Sequence, residues 1–129
     1  CNIYNGKKNG IVKNLTSSLI KKDRIYLTNS NAFRNYINVK DLNNIILRML
    51  NMKLKHRIYN IGFENIKLIE LIKRIEKKLK IKINYNDRKK NLREIPSQKI
   101  SNARLFKEID YFPKIKMTDY IVRKYYYEK

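Results

Sequence analysis

The sequence predicts an α/β fold, and three kinds of observation carry that prediction. Apolar residues recur at helical spacing in several separate stretches, short alternating segments rich in Ile, Val and Tyr lie between them, and Gly, Asn, Ser and Pro mark the joints. The length of 129 residues suits one compact domain or part of a larger one. No repeat, linker or low-complexity tract divides the chain, so residues 1–129 are read as one unit.

The chain opens with two turn signals, Asn5-Gly6 and Asn9-Gly10. From Ile11 to about Lys22 the positions Ile11, Leu15, Leu19 and Ile20 keep helical spacing. "RIYL" at 24–27 is a strand candidate that "TNSN" breaks. In "RNYINV", Tyr36 and Asn38 point one way and Ile37 and Val39 the other, as in a strand. Asp41 is placed to cap the next helix, whose apolar face is Leu42, Ile45, Ile46, Met49 and Leu50. "IYNIG" reads as a short strand stopping at Gly62, and residues 66–80 as a helix with the stripe Leu68, Ile72, Ile75 and Leu79. "IKINY" alternates as a strand that buries Ile81 and Ile83. After a polar stretch from Asn86 to Ser97 comes a short helix over Ala103–Ile109, which Pro113 prevents from continuing. Thr118 is placed to cap a final helix, "DYIVRKYYYE".

A formal charge of +20 and a pI near 10.1 point, taken alone, to nucleic acid or an anionic surface. A second cause produces the same number. The chain is rich in Lys, Asn, Ile and Tyr and holds only three Gly and two Pro, the bias of AT-rich codons, so many lysines need no dedicated partner. A small basic nucleic-acid-binding domain is therefore the alternative reading and not the leading one. No apolar run approaches the roughly 20 residues needed to cross a bilayer, and nothing before residue 20 resembles a signal peptide. One cysteine, Cys1, cannot form an internal disulfide, which agrees with a cytoplasmic setting. His56 is the only histidine and has no ligand-spaced neighbours, so no metal site is expected. Of the consecutive tyrosines 125–127, one or two should pack inward and the rest face solvent, because neighbouring helical positions point apart. The pattern Tyr-x-x-x-Lys, which can support proton and hydride chemistry, occurs from Tyr4, Tyr36, Tyr85, Tyr120 and Tyr125, too often in so Tyr- and Lys-rich a chain to carry weight.

Read in order, the marks "NIY" at 2–4, "RNYINVKDL" at 34–42, "IYNIG" at 58–62, "REIPSQKIS" at 93–101 and "DYFPKIKM" at 110–117 resemble the carboxyl-terminal part of the nucleotide-sugar epimerase and dehydratase family, the extended short-chain dehydrogenases. The resemblance runs over essentially all 129 residues. It implies an NAD(P)-binding Rossmann-type α/β fold, of which this chain would supply the last Rossmann strands, including "IYNIG", and the small substrate-binding α/β subdomain. The glycine-rich dinucleotide turn and the catalytic Tyr-x-x-x-Lys pair would lie ahead of Cys1. The resemblance thus implies a fragment whose cofactor-binding amino-terminal half is absent, with no catalytic or cofactor-binding residue assigned in this chain and no turnover by it alone.

For the intact protein, the resemblance implies an NAD- or NADP-dependent nucleotide-sugar 4-epimerase or 4,6-dehydratase, cytoplasmic and homodimeric, serving surface-polysaccharide precursor synthesis. The cofactor takes hydride from sugar C4, an upstream tyrosinate takes the hydroxyl proton, and the 4-keto sugar is reduced again or dehydrated. The partner implied is a nucleoside-diphosphate sugar, not a membrane or nucleic acid. By similarity Arg34 is the diphosphate ligand, a role suited to a guanidinium because its rigid fork bonds two phosphate oxygens. Asn2 corresponds to an amide contacting the sugar-phosphate, Asn60 to a donor toward phosphate, and Arg93 to a second arginine closing over the diphosphate. Val12 to Leu15, with Ile25 and Leu27, would border the base. The chain departs from the family pattern at Leu27-Thr28-Asn29-Ser30, where an aromatic residue and Gly-x-Gly are usual, at Asn35 in place of an aspartate, at Asn5 in place of Gly, and at Tyr120 in place of a helix glycine. "REIPSQ" leans toward the dehydratase-like members.

Overall fold

The computed structural model describes residues 2–4, 10–88 and 97–129. Its elements follow as β1 (Asn2–Tyr4), α1 (Ile11–Lys21), β2 (Ile25–Thr28), β3 (Phe33–Asn38), α2 (Val39–Leu50), β4 (Glu64–Lys67), α3 (Leu68–Leu79), β5 (Tyr85–Arg88), α4 (Ala103–Ile109) and α5 (Met117–Glu128). The strand β3 lies at the centre of a sheet ordered β1-β3-β4. Its partner β1 is parallel, with Asn2 opposite Tyr36, and β4 is antiparallel, with Arg34 opposite Ile66. A separate parallel pair joins β2 to β5, with Leu27 opposite Asp87.

Alternation along β3 sends adjacent side chains to different clusters. Tyr36 joins Val12, Leu15, Leu27, Ile66, Ile72 and Ile121 among α1, α3 and α5, whereas Ile37 joins Ile45, Leu105 and Ile109 between α2 and α4. Each fully buried Leu or Ile side chain contributes about 1.5–3 kcal/mol, so both clusters stabilise the fold, the first being the larger.

Scarcity of glycine shows at the helix ends. Lys22, Lys80 and Asp110 close α1, α3 and α4 in the left-handed conformation (φ 57°, 54° and 44°), where glycine is usual. The N–H of Lys22 reaches Ser18 O and that of Lys80 reaches Glu76 O, which satisfies carbonyls at both helix ends.

Several local expectations need correction. Residues 58–62 form no strand, because no neighbouring strand pairs with them among the described residues; the antiparallel partner of β3 is the next segment, β4. The helix expected from 66 begins at Leu68, since Ile66 and Lys67 belong to that strand. In "IKINY" only Tyr85 is in a strand, although Ile83 is buried and Ile81 packs against the core. Asn38 caps α2, accepting from Lys40 N at 2.9 Å. Asp41 is 2% exposed inside the helix, where it accepts from the Tyr111 hydroxyl (2.7 Å), Lys114 N (3.2 Å) and Ile115 N (2.9 Å). It pins the "DYFPKIKM" segment beneath the helix. Thr118 is likewise inside α5 and not its cap; the first N–H of that helix, from Met117, is received by the Glu64 carboxylate, favourable beside the positive end of the helix. Ile46 and Leu50, expected on the buried face of α2, are exposed. The turn pairs at 5–6 and 9–10 fall wholly or partly outside the described residues.

Candidate functional site

Arg34 enters β3 from a turn that is held at several points. Asn29 takes the left-handed conformation (φ 52°), which asparagine tolerates better than most residues. Ala32 N donates to Asn29 O at 3.0 Å, Ile69 N to Ser30 O at 3.2 Å, and both the backbone N–H and the hydroxyl of Ser30 to the Asp87 carboxylate. On the far side, Phe33 N donates to Ser97 Oγ and Gln98 N to Phe33 O at 2.8 Å. The turn, which contains no glycine, is therefore fixed by both backbone and side-chain hydrogen bonds.

Within that frame Arg34 is half-buried and its Nη1 donates to Phe33 O at 3.1 Å. Among the described residues no carboxylate forms a salt bridge with it. A guanidinium with most of its fork uncommitted, on a rigid strand, is suited to an external anion. It lies on the same face of β3 as Tyr36, whose phenol burial pushes up to about 12 although the Arg34 charge pulls it down. Asn2, opposite Tyr36, is on this side too and donates from Nδ2 to Asn35 O at 3.1 Å. Val12 and Leu27 complete the group from below, at 3% and 1% exposure. They are packed into the first cluster, so they support this face while presenting almost no surface of their own.

Asn60 stands apart. It is exposed and lines a cleft of about 360 Å³ with Ile58, Tyr59, Ser101, Asn102, Arg104 and Leu105, beside α4; Asn2, Arg34, Val12 and Leu27 are not among the lining residues. Arg93 lies outside the described residues. The structure thus gathers Asn2, Arg34, Val12 and Leu27 on one side of β3 and leaves Asn60 in a separate cleft beside the second cluster.

Two clusters that look chemical are structural. His56 Nε2 lies 3.6 Å from Glu108, which also accepts from the Tyr59 hydroxyl (2.7 Å) and Lys55 N (3.2 Å). The Tyr59 hydrogen bond is the main reason the Glu108 carboxyl is held below its usual range. Together these contacts tie the connector after α2 to α4, a partnership that sequence spacing cannot reveal. Tyr120 and Lys124, at catalytic-looking spacing, are also engaged structurally: the tyrosine ring stands edge-on to Tyr4 at 5.3 Å and Lys124 pairs with Glu128 at 2.7 Å. Among the described residues no group of three or more His, Cys, Asp or Glu is placed to hold a metal, and no helix is long and apolar enough to cross a membrane. Tyr125 is buried, and Tyr126 and Tyr127 are exposed.

No family model and no curated protein matches the sequence. Solved structures do match the fold. The UDP-glucuronic acid 4-epimerase from Bacillus cereus, solved with UDP-glucuronic acid and NAD, is similar at a TM-score of 0.81 and 16% identity over 98% of this chain and 42% of its own. The UDP-glucose 4-epimerase from Thermotoga maritima, solved with UDP-glucose, gives 0.79 and 13% over 98% and 44%. The dTDP-glucose 4,6-dehydratase from Bacillus anthracis, in complex with NAD, gives 0.78 and 17% over 99% and 43%. The chain spans less than half the length of each and has the fold of the carboxyl-terminal portion of extended short-chain dehydrogenases.

Proposed function

We propose that this chain is the sugar-nucleotide-binding portion of an NAD(P)-dependent nucleotide-sugar 4-epimerase or 4,6-dehydratase. The observation that carries the reading is an uncommitted arginine, Arg34, on the central strand of a fold shared with such enzymes over 98–99% of this chain, with Asn2 on the same face. The diphosphate of a nucleotide sugar offers that guanidinium two oxygens at once, and a half-buried fork binds them far better than a solvated lysine does. Asn60, from the separate cleft, and Arg93, which falls outside the described residues, are further ligands in this proposal.

The cofactor does not fit residues of this chain. It holds three glycines; Gly62 is wedged against Asn35, and no Gly-x-Gly-x-x-Gly turn is present to approach a dinucleotide pyrophosphate. NAD or NADP is therefore assigned to a portion of the protein that this chain does not include, and the work of this portion is to bind and orient the substrate. The charge that, taken alone, points to nucleic acid has a second source in the Lys-rich composition, so it does not favour that partner over a nucleotide sugar.

The test is calorimetric titration of UDP- and dTDP-sugars into the complete protein and its Arg34→Ala variant. Loss of affinity by roughly 10- to 100-fold, at unchanged thermal stability, is expected for removal of a charge-assisted diphosphate contact. Equal affinity in both proteins, or clear turnover by the 129-residue chain alone, would overturn the assignment.

A further inference from the structure

The Lys-rich composition scatters charge over the whole surface, but one hollow collects it. About 240 Å³ in volume, it lies where the end of β3 meets the starts of α2 and α5, and Lys40, Lys114, Lys116 and Arg123 line it. Among the described residues none of these four pairs with a carboxylate. Asp119, also in the wall, is engaged by Lys78, and Asp41, which holds the backbone at 114 and 115, is committed to the donors already described. Like charges gathered about one small volume repel, and an anion placed among them relieves that cost.

A fifth lining residue is not a surface charge. Asn38 is 2% exposed; its Oδ1 accepts from Lys40 N at 2.9 Å, and among the described residues no acceptor takes its NH₂ group. Buried donors are seldom left without an acceptor, and codon bias does not set one among four cations. Amide and cations together suit an oxyanion with several acceptor oxygens. Beyond the hollow, Arg123, Tyr126 and Tyr127 stand at i, i+3 and i+4 and share a face of α5. On that face Asp119 and Arg123 also border an open groove with Val122, Tyr126 and Tyr127, whose two rings are 64% and 81% exposed. The hollow and the groove therefore meet at Arg123, and none of Asn2, Arg34, Asn60, Val12 and Leu27 lines either.

We infer that this is a second ligand site, separate from the Arg34 face, and that its ligand is a free nucleotide. The phosphate lies among Lys40, Lys114, Lys116, Arg123 and the Asn38 amide, and the base stacks on Tyr126 or Tyr127. Charge complementarity decides the phosphate end, and exposed rings continuous with it decide the base end; a sugar phosphate without a base would leave those rings bare. The site does not rest on the enzyme reading proposed above, since it uses none of the same residues.

The complete protein, isotope-labelled, is titrated with AMP and with ribose 5-phosphate while NMR follows the Asn38 side-chain amide and the Tyr126 and Tyr127 rings, signals local to this site. AMP should move all of them, whereas ribose 5-phosphate should bind roughly 10-fold more weakly and leave the rings unmoved. Lys114→Gln/Arg123→Gln should weaken AMP binding by roughly 10- to 100-fold. Lys53→Gln/Lys107→Gln, which removes the same charge from exposed positions outside the hollow and groove, should change it by less than about 2-fold. Unmoved Asn38 and tyrosine signals at millimolar AMP, or equal losses from the two paired substitutions, would overturn the proposal. Ribose 5-phosphate binding as tightly as AMP would overturn the nucleotide as its ligand.

Discussion

Replacing Asp41 by asparagine removes the acceptor that fixes the chain between α4 and α5. In the native arrangement one carboxylate, 2% exposed, receives the Tyr111 hydroxyl at 2.7 Å and the backbone N–H groups of Lys114 and Ile115 at 3.2 and 2.9 Å. Hydrogen bonds to a charged group contribute about 1.5–3 kcal/mol each. Asparagine with its oxygen at the Oδ2 position still receives Lys114 N and Ile115 N, but its NH₂ faces the Tyr111 hydroxyl, which must reverse from donor to acceptor, and every bond loses its charge assistance, a loss of about 1.5–3 kcal/mol. Tyr111→Phe, which forfeits the hydroxyl bond and a weaker contact with Asn44, should cost about 1.5–3 kcal/mol. Urea unfolding followed by far-UV circular dichroism measures both, and the double variant should lose less than the sum, since the two changes share a bond. A loss below about 0.5 kcal/mol for Asp41→Asn would refute the argument that this carboxylate secures the segment.

A Cβ added at Gly62 would stand 1.8 Å from Asn35 Oδ1, so Gly62→Ala must displace an amide that donates to Asn65 at 2.9 Å; a loss of about 2–4 kcal/mol in chemical denaturation is expected, with no loss pointing to a looser contact. Lys80→Gly relieves a left-handed lysine and should raise stability by about 0.5–1 kcal/mol, read as a higher urea midpoint. Alkaline pH should weaken the fold through Tyr36. Its folded value, about 12, lies above the unfolded one near 10, so the folded state keeps its proton longer. Stability is then complete below pH ~10 and falls by about 1.4 kcal/mol per unit until pH ~12; Tyr36→Phe should flatten the stability–pH curve in that interval, and an unaltered slope would contradict it.

The α/β class and all the longer helices are legible in the sequence because periodicity is a local property: the stripe of α3 and the ending of α4 before Pro113 need no tertiary knowledge. What is hidden depends on partners. "NIY" becomes a strand only because β3 lies beside it, and "IYNIG" does not become one because among the described residues no strand pairs with it. Caps mislead for a similar reason. Asp41 and Thr118 are good capping residues by type, yet Asn38 and the distant Glu64 serve the two helix starts, and the better candidates are drawn inside. Arg34 is recognisable from the strand that follows it, whereas its freedom from any carboxylate among the described residues, the property on which its proposed binding role rests, exists only in three dimensions.

Because Tyr36 and Ile37 are covalent neighbours that look into different clusters, β3 acts as an insulating partition. Mutational damage on one side should add to damage on the other with little interaction energy, as it does for sites that share no contacts. Sequence drift can therefore proceed separately on the two flanks, the Arg34 flank under its own constraint and the opposite flank under another.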